Sequence, residues 1–360
     1  MISVAEALDR VLSNLSPVGC EQIPVIEGLG RVLAEDVSAN LTYPPSDISA
    51  MDGYAVVATD TVPCPSTLRH IGISQAGCGF EGTVSAGETV RIFTGAPLPR
   101  GADAIVMQEN AAVDSDAVTI LESVDAGKFV RPAGLDFEAG EIICRAGHRL
   151  SARDLGLLAA ANVSVLPVYR KPRVAYLATG DELVMPGETP GPDQIISSNS
   201  IAMDAYIRAF GGAPVSLGIA RDTADSLRDT LSGLGDVDLL ITMGGASVGD
   251  FDLVQSVLND EGLELGFYKV AMRPGKPLIF GNLNSTPMLG LPGNPVSVAV
   301  TALLFMKPAI LCLSGCSDDV TVQRVRLGRS LMANDRRQDY LRAVLSRTPS
   351  GDLVATPFDQ

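Results

Sequence analysis

The chain has 360 residues, with 27 Lys and Arg against 42 Asp and Glu and two histidines, a formal net charge of −15. A composition 46% apolar and 19% charged at this length points to two or three domains with full cores and excludes a disordered chain. The negative charge repels polyphosphate backbones and anionic lipid, and no basic patch offsets it, so nucleic-acid or membrane-surface binding is disfavoured.

In chain order, Ser3 caps a first helix, Glu6 falls three residues on in the pattern of a capping box, and Val4, Leu8, Val11, Leu12 and Leu15 share one face before Pro17 ends it. The acids here, and the lack of a continuous apolar core, are unlike a signal peptide. Residues 46–147 are rich in Gly and Pro, with short β runs at 54–57, 89–93, 104–107, 118–121 and 142–144 between turn signals. They read as a mainly β unit inserted into, or following, an elongated helical one. Ser151 and Asp154 open a second helix over 152–161.

From Arg173 strands and helices alternate: strands at 174–178, 215–219, 237–243 and 288–291, a β pair within 264–280, and helices at 199–210, 224–234, 251–259 and 295–313. Continuously apolar strands joined by helices imply a mostly parallel sheet covered on both faces. Strands at 320–327 and 340–345 begin a small β domain. The longest apolar run, 296–306, is cut by Lys307-Pro308 and reads as too short to span a bilayer. Cys20, Cys64, Cys78, Cys144, Cys312 and Cys316 contain no CxxC pair and read as packed, reduced thiols. Two histidines, His70 and His148, disfavour a zinc site or a His-based triad. A soluble, cytoplasmic, α/β multidomain protein is expected.

In an open α/β sheet ligands bind beyond the carboxyl ends of the strands. Three such positions stand out: Thr179-Gly180-Asp181-Glu182-Leu183, Gly244-Gly245-Ala246-Ser247-Val248-Gly249-Asp250-Phe251-Asp252, and Leu291-Pro292-Gly293-Asn294-Pro295. The second and third lead into helix N-termini, where bare amides favour an anion, although Gly-rich turns also serve plain strand-to-helix geometry. Glu182, Asp222 and Asp252 fall at the same edge. Any one could be a solvated helix cap. Three beside an anion-seeking turn favour a divalent ion between acids and phosphate, and Mg²⁺ is held this way. Downstream, Lys269, Arg273 and Lys276, braced by Pro274, Gly275 and Pro277, form either a rigid anion clamp or a solvated hairpin.

Together, Ala50-Met51-Asp52-Gly53-Tyr54-Ala55, Thr94-Gly95-Ala96-Pro97-Leu98-Pro99 with Gly101-Ala102-Asp103-Ala104, Thr179 to Leu183, Gly244-Gly245 with Ser247-Val248-Gly249, Pro274-Gly275-Lys276-Pro277 and Gly290-Leu291-Pro292-Gly293-Asn294-Pro295-Val296-Ser297 make a recognisable set. Across residues 1–345 the chain resembles the molybdopterin molybdenumtransferase family, which includes MoeA and the E domain of gephyrin. The resemblance implies a dimeric enzyme that inserts molybdate into adenylylated molybdopterin in a Mg²⁺-dependent step, releasing AMP and molybdenum cofactor. It implies an elongated domain from 1–45 with 138–172, an inserted β-rich domain at 46–137, an α/β molybdopterin-binding domain at 173–316 and a partial C-terminal β domain at 317–360. The insertion of one subunit would face the α/β cleft of the other, making a composite site.

Carried over by motif, Asp52, Thr94, Glu182, Asp222 and Asp252 match the family's functional acids and threonine, with Glu182, Asp222 and Asp252 as the metal ligands. Arg131 and Asp136 match its Arg and Asp between insertion and elongated domain. Lys269, Arg273 and Lys276 match the stretch associated with the oxyanion, Arg273 standing where the family usually has Lys; a guanidinium still binds an oxyanion, bidentately. Arg337 resembles an arginine near the molybdate. Gly244, Gly245, Ser247, Pro292, Gly293, Asn294 and Pro295 would cradle the pterin phosphate. The chain stops soon after Arg342, so the last domain is either cut short or natively short. Alternatives are a molybdopterin adenylyltransferase, which usually lacks the insertion, and a non-catalytic cofactor-binding or scaffold protein. Molybdate and tungstate share charge and nearly size, so the sequence leaves them undistinguished.

Overall fold

The computed structural model describes residues 1–244, 253–316 and 322–358. Its centre is a six-stranded sheet in the order Ala213–Ala220, Arg173–Thr179, Leu239–Met243, Thr286–Leu291, Ile279–Leu283, Leu263–Tyr268. The first four strands are parallel and the last two run antiparallel to their neighbours. Arg173–Thr179 and Leu239–Met243 are buried almost throughout, which is why they carry apolar residues at consecutive positions rather than alternate ones.

Helices α1 (Val4–Leu12), α2 (Ala152–Ala160), α3 (Ser198–Ala209), α4 (Ala224–Ser232), α5 (Leu253–Asp260), α6 (Pro295–Thr301) and α7 (Lys307–Leu313) complete the layers. One face of the central sheet packs on α3 and on the α6 to α7 stretch through Met203, Ile207, Val298, Phe305 and Ile310. The other packs on α4 and α5 through Leu227, Val254, Val257 and Leu258.

The N-terminal helix α1 belongs to this same core. Val4, Ala7, Val11, Leu15 and Val18 are buried with the α6 to α7 residues. Its cap is half of a box: Ser3 Oγ accepts from the Glu6 amide at 3.1 Å, but the Glu6 carboxylate takes a bond from Arg10 at 2.8 Å instead of turning back. In α2 both halves of the box, Ser151 and Asp154, are present.

The helix expected over 295–313 runs on through Lys307-Pro308, where the apolar run is cut. Residues Ala302–Met306 form one π-helical turn and α7 follows directly, with Pro308 at its start. Proline lacks the amide an α-helix interior needs, and the widened turn lets the axis continue past it. The continuous helix Pro295–Leu313 is 19 residues long and apolar enough to cross a membrane by length and composition, and half of that window is buried inside the fold. The length argument made on the sequence is therefore corrected, while the burial of Val298, Ala302, Phe305, Met306, Ala309 and Ile310 accounts for the hydropathy as core packing.

A second unit is built on Cys20–Pro24 paired antiparallel with Val165–Tyr169 and on Val37–Ser38 paired with Ile142–Cys144, over a core of Ile23, Leu33, Phe137, Leu150, Leu158, Leu166 and Val168. A third is a six-stranded sheet in the order Ala104–Met107, Gly53–Val56, Glu88–Ile92, Ser66–Ser74, Ala117–Ile120, Ala111–Asp114, with apolar clusters on both faces. Each unit is entered and left by two chain crossings lying side by side. Between the first and second, Arg170 donates its amide to Gly19 O at 2.9 Å and Val18 to Leu313 O at 2.8 Å. Between the second and third, Tyr43 and Phe137 bridge antiparallel, with Tyr43 N to Phe137 O at 2.9 Å. Arg170 also grips Asp238 through both guanidinium nitrogens, at 2.7 and 2.6 Å.

Near the C-terminus, Arg326–Leu327, Leu353–Pro357 and Ala343–Arg347 form a small sheet, and Met272–Arg273 pairs in parallel with Gln338–Asp339. All six cysteines are free, but Cys20, Cys64 and Cys78 are exposed, so only Cys144 fits the expectation of a fully packed thiol.

Candidate active site

The parallel strands end together. Thr179 pairs with Ala220, Ala178 with Met243 and Met243 with Leu291, so the chain leaves the sheet along one edge at Arg221-Asp222, Gly180-Asp181-Glu182, Gly244 and Pro292-Gly293-Asn294. This is the rim where an α/β sheet presents ligands.

At one end of the rim, two loops are tied by reciprocal bonds. Asp222 N donates to Asp181 Oδ1 at 3.1 Å and Asp181 N to Asp222 Oδ2 at 3.4 Å. Arg221 Nη1 donates to the carbonyls of Asp181 and Leu183 at 3.0 and 3.1 Å, so its charge is spent on loop backbone rather than on a carboxylate. The Glu182 carboxylate folds back over Gly180 (φ +148°) and occupies the space a Cβ there would take. Among the described residues no cation pairs with Asp181, Glu182 or Asp222.

In the middle of the rim, Gly244 has φ +102°, donates its amide to Leu291 O at 3.1 Å, and lies so close to Thr179 that a Cβ would stand 2.7 Å from Thr179 O. Gly293 closes from the other side, its Cβ position 3.4 Å from Gly244 Cα. Asn294 caps α6, accepting from Val296 N at 3.0 Å and Ser297 N at 3.3 Å, with Pro295 in the first turn, and Asn199 Nδ2 holds Gly293 O at 2.7 Å. Beneath this turn the Thr179 hydroxyl is buried without a hydrogen-bond partner among the described residues. Gly245, Ser247 and Asp252 lie outside the described residues.

The basic residues form a separate cluster. Lys269, held at φ +74°, sets its Nζ 4.5 Å from the centre of the Tyr268 ring, and Lys276 is exposed. Arg273 is engaged by acids: Nη2 lies 2.8 Å from Asp335 Oδ2 and Nη1 3.7 Å from Asp339. Arg337 reaches the same Asp335 oxygen at 2.8 Å, and its amide donates to Oδ1 at 2.7 Å. These bonds from the Arg337 side chain and amide, with the Arg337 and Arg273 charges, hold the Asp335 carboxyl down at about 2. Beside Arg273 a cavity of about 170 Å³ is lined by Pro274, Val296, Tyr340, Arg342 and Phe358 among others.

In the inserted sheet, Asp52 Oδ1 accepts from both the amide and the hydroxyl of Thr94, each at 2.8 Å. The Thr94 amide first, then its hydroxyl, with Arg91 nearby, keep the Asp52 carboxyl below its ordinary range. Arg91 stands 5.0 Å from the ring centres of Tyr54 and Phe93 and donates to Gly53 O, which fixes the turn that carries Asp52. Arg131, paired with Ile48, and Asp136, whose amide donates to Tyr43 O, are exposed beside the double crossing. Among the described residues, no hydrogen bond or ion pair within the chain joins Asp52, Thr94, Arg131 or Asp136 to the rim.

Glu182, Asp222, Gly244, Pro292, Gly293, Asn294 and Pro295 thus share the rim. Arg273 and Arg337 meet through Asp335, and Asp52 and Thr94 meet each other. Asp181 and Thr179 lay within the Thr179 to Leu183 motif but were given no role, and Asp335 was not singled out from the sequence. Asp181 carries the same signal as Glu182, an acid directly after a strand, whereas nothing local marks Asp335. Among the described residues no three Asp, Glu, His or Cys side chains gather closely enough to hold a metal alone. Two hard carboxylates, Glu182 and Asp222, on the rim nonetheless fit Mg²⁺, which takes one or two protein carboxylates and keeps the rest of its octahedron for water and substrate oxygens.

Two family models match: one described as the MoeA N-terminal region (domain I and II), over residues 2–162, and one described as a probable molybdopterin binding domain, over residues 175–311. The molybdopterin molybdenumtransferase of Nostoc sp. is 37% identical over 322 residues, covering 87% of this chain and 74% of that protein. That of Haemophilus influenzae is 35% identical over 318 residues, covering 88% and 78%. The crystal structure of the molybdopterin biosynthesis MoeA protein from Pyrococcus horikosii is similar with a TM-score of 0.82 at 32% identity, covering 100% of this chain and 90% of that one.

Proposed function

Since this chain belongs to the molybdopterin molybdenumtransferase family, we propose that it inserts molybdate into adenylylated molybdopterin, releasing AMP and molybdenum cofactor. The observation that carries the reading is the shared rim: unpaired acids at Glu182 and Asp222 stand on the same sheet edge as the glycine-lined, Asn294-capped turn. Acids and an anion-seeking helix start are compatible only if a cation lies between carboxylate and phosphate.

In this reading Gly244, Gly245, Ser247 and the Pro292–Pro295 turn cradle the pterin phosphate. Gly244 lets the backbone approach Thr179 where a Cβ would intrude. Glu182 and Asp222, with Asp252, hold Mg²⁺. When bound, Mg²⁺ neutralises charge on the phosphoanhydride that links pterin and AMP. Arg221 keeps the two acidic loops in register through the Asp181 and Leu183 carbonyls. Lys269, Arg273, Lys276 and Arg337 hold the oxyanion. The chain's contribution is positioning and charge neutralisation, with no protein nucleophile required.

Among the described residues no hydrogen bond or ion pair within the chain links Asp52 and Thr94 to the rim, which supports a homodimer whose insertion completes the partner's site. A net charge of −15 supports a cytoplasmic enzyme of small-molecule substrates, away from nucleic acid and membrane.

The test is incubation with adenylylated molybdopterin, Mg²⁺ and molybdate, then quantification of AMP for the native chain and for Glu182→Ala and Asp222→Ala. Release by the native dimer and its loss in both variants is expected. Tight binding without release would make the protein a cofactor carrier, and native rates in either dimeric variant would refute the metal assignment.

A further inference from the structure

We propose that Asp335 is a built-in competitor for the oxyanion seat, a specificity-determining residue whose carboxylate molybdate must displace from Arg273 and Arg337. The inference rests on the proposed function, which gives those arginines to the oxyanion.

Parallel pairing of Met272–Arg273 with Gln338–Asp339 places the two guanidinium groups side by side. Asp335 Oδ2 then lies 2.8 Å from a terminal nitrogen of each, one oxygen shared between two forks. Its second oxygen takes the Arg337 amide at 2.7 Å. A tetrahedral oxyanion bridging the same two arginines would use the same donors, because guanidinium groups recognise carboxylate and oxyanion oxygens alike. The cavity of about 170 Å³ that opens beside Arg273 and Arg342 gives such an anion an approach that does not cross the core.

The competition has a chemical consequence. Asp335 is half exposed, at 50% of its side-chain surface, so its pairs are solvated and exchangeable rather than locked. A doubly charged oxyanion offers more charge to two guanidinium groups than one carboxylate does. A weaker or poorly fitting anion does not. Asp335 thereby raises the threshold for entry and favours a divalent anion able to bridge both arginines with more than one oxygen.

The opposite role, alignment of the arginines by Asp335, predicts the opposite sign, so steady-state kinetics separates the two. Asp335→Asn keeps the shape and an acceptor for the Arg337 amide but removes the charge. The expected result is a KM for molybdate lowered about three- to tenfold, the scale of losing two solvated ion pairs, with the KM for the pterin nucleotide unchanged. Inhibition by added nitrate, a monovalent oxyanion, weak in the native protein, becomes strong in the variant. Asp335→Ser should shift in the same direction, and a native circular dichroism spectrum for each establishes folding. A KM for molybdate that is unchanged or raised in both variants overturns the inference. Arg273→Gln tells this failure from failure of the underlying reading. If it raises the KM for molybdate while the Asp335 variants leave it alone, only the competitor role falls; if it also leaves that KM at the native value, the oxyanion binds elsewhere and both fall.

Discussion

Gly244→Ala gives the sharpest test of the rim. The native residue sits at φ +102°, and a new Cβ would stand 2.7 Å from Thr179 O and 2.8 Å from Thr179 Oγ1. Ordinary contact begins at 3.4 Å, and the nearer obstacle is backbone, so no rotamer change relieves it. On the far side Gly244 N is bonded to Leu291 O at 3.1 Å, which opposes a shift away from Thr179. The torsion costs about 1–2 kcal/mol for a residue with a Cβ, and overpacking against fixed atoms adds about 1–3 kcal/mol, for a total of about 2–5 kcal/mol. Gly187→Ala is the control: its φ is +98° but nothing lies within 4 Å of its Cβ position, so only the torsional part remains. Urea unfolding followed by far-ultraviolet circular dichroism, the chain having no Trp, should rank native above Gly187→Ala above Gly244→Ala. Equilibrium dialysis with molybdopterin should show about tenfold or greater loss for Gly244→Ala, equivalent to about 1.4 kcal/mol, and none for Gly187→Ala. Equal destabilisation by the two substitutions, with binding preserved in both, would refute the claim that close approach to Thr179 shapes the rim.

Two further expectations follow from named bonds. Burial pushes the Asp238 carboxyl up, but the Arg170 side chain and the Arg173 amide outweigh it and leave it below its ordinary value of 3.8. A depressed carboxylate stabilises the fold above its unfolded value and loses that contribution as pH falls through its folded value. Asp238→Ala should therefore cost about 1–2 kcal/mol at pH 7, less than a fully buried pair because Arg170 is 37% exposed; the gap in urea midpoint between variant and native should narrow as pH falls below 3.8 and the carboxylate is protonated. Arg221→Gln should lose the bonds to Asp181 O and Leu183 O and raise the Mg²⁺ concentration needed for half-maximal AMP release several-fold, with the KM for molybdate unchanged.

The central sheet could be read because burial on both faces writes itself as unbroken apolar runs, as in Leu239–Met243, and because Gly211 and the Ser151–Asp154 box punctuate helices chemically. Strand ends then mark where Glu182, Asp222 and Asn294 must lie, although their roles belong to the proposal. The nine-residue strand Ser66–Ser74 was missed since Arg69, His70 and Gly72 break its alternation, and its register shifts between His70 and Gly72. The helix over 295–313 was read, but the π turn inside it before Pro308 was missed, because no local pattern marks where a helix widens. Asp335 was invisible for a different reason: it meets Arg273 only through pairing of distant segments, and no local pattern encodes such a contact.

The paired crossings between units have a mechanical corollary. A single tether leaves a body free to swivel about any axis, whereas two strands of chain fixed a few ångströms apart, as at Gly19 with Arg170 and at Tyr43 with Phe137, act like the two leaves of a door hinge. Rocking about the line joining them costs little, but corkscrew rotation strains both at once. With two such joints in series, any swing of the sheet bearing Asp52 is expected to be confined to rocking, so that its facing direction is kept.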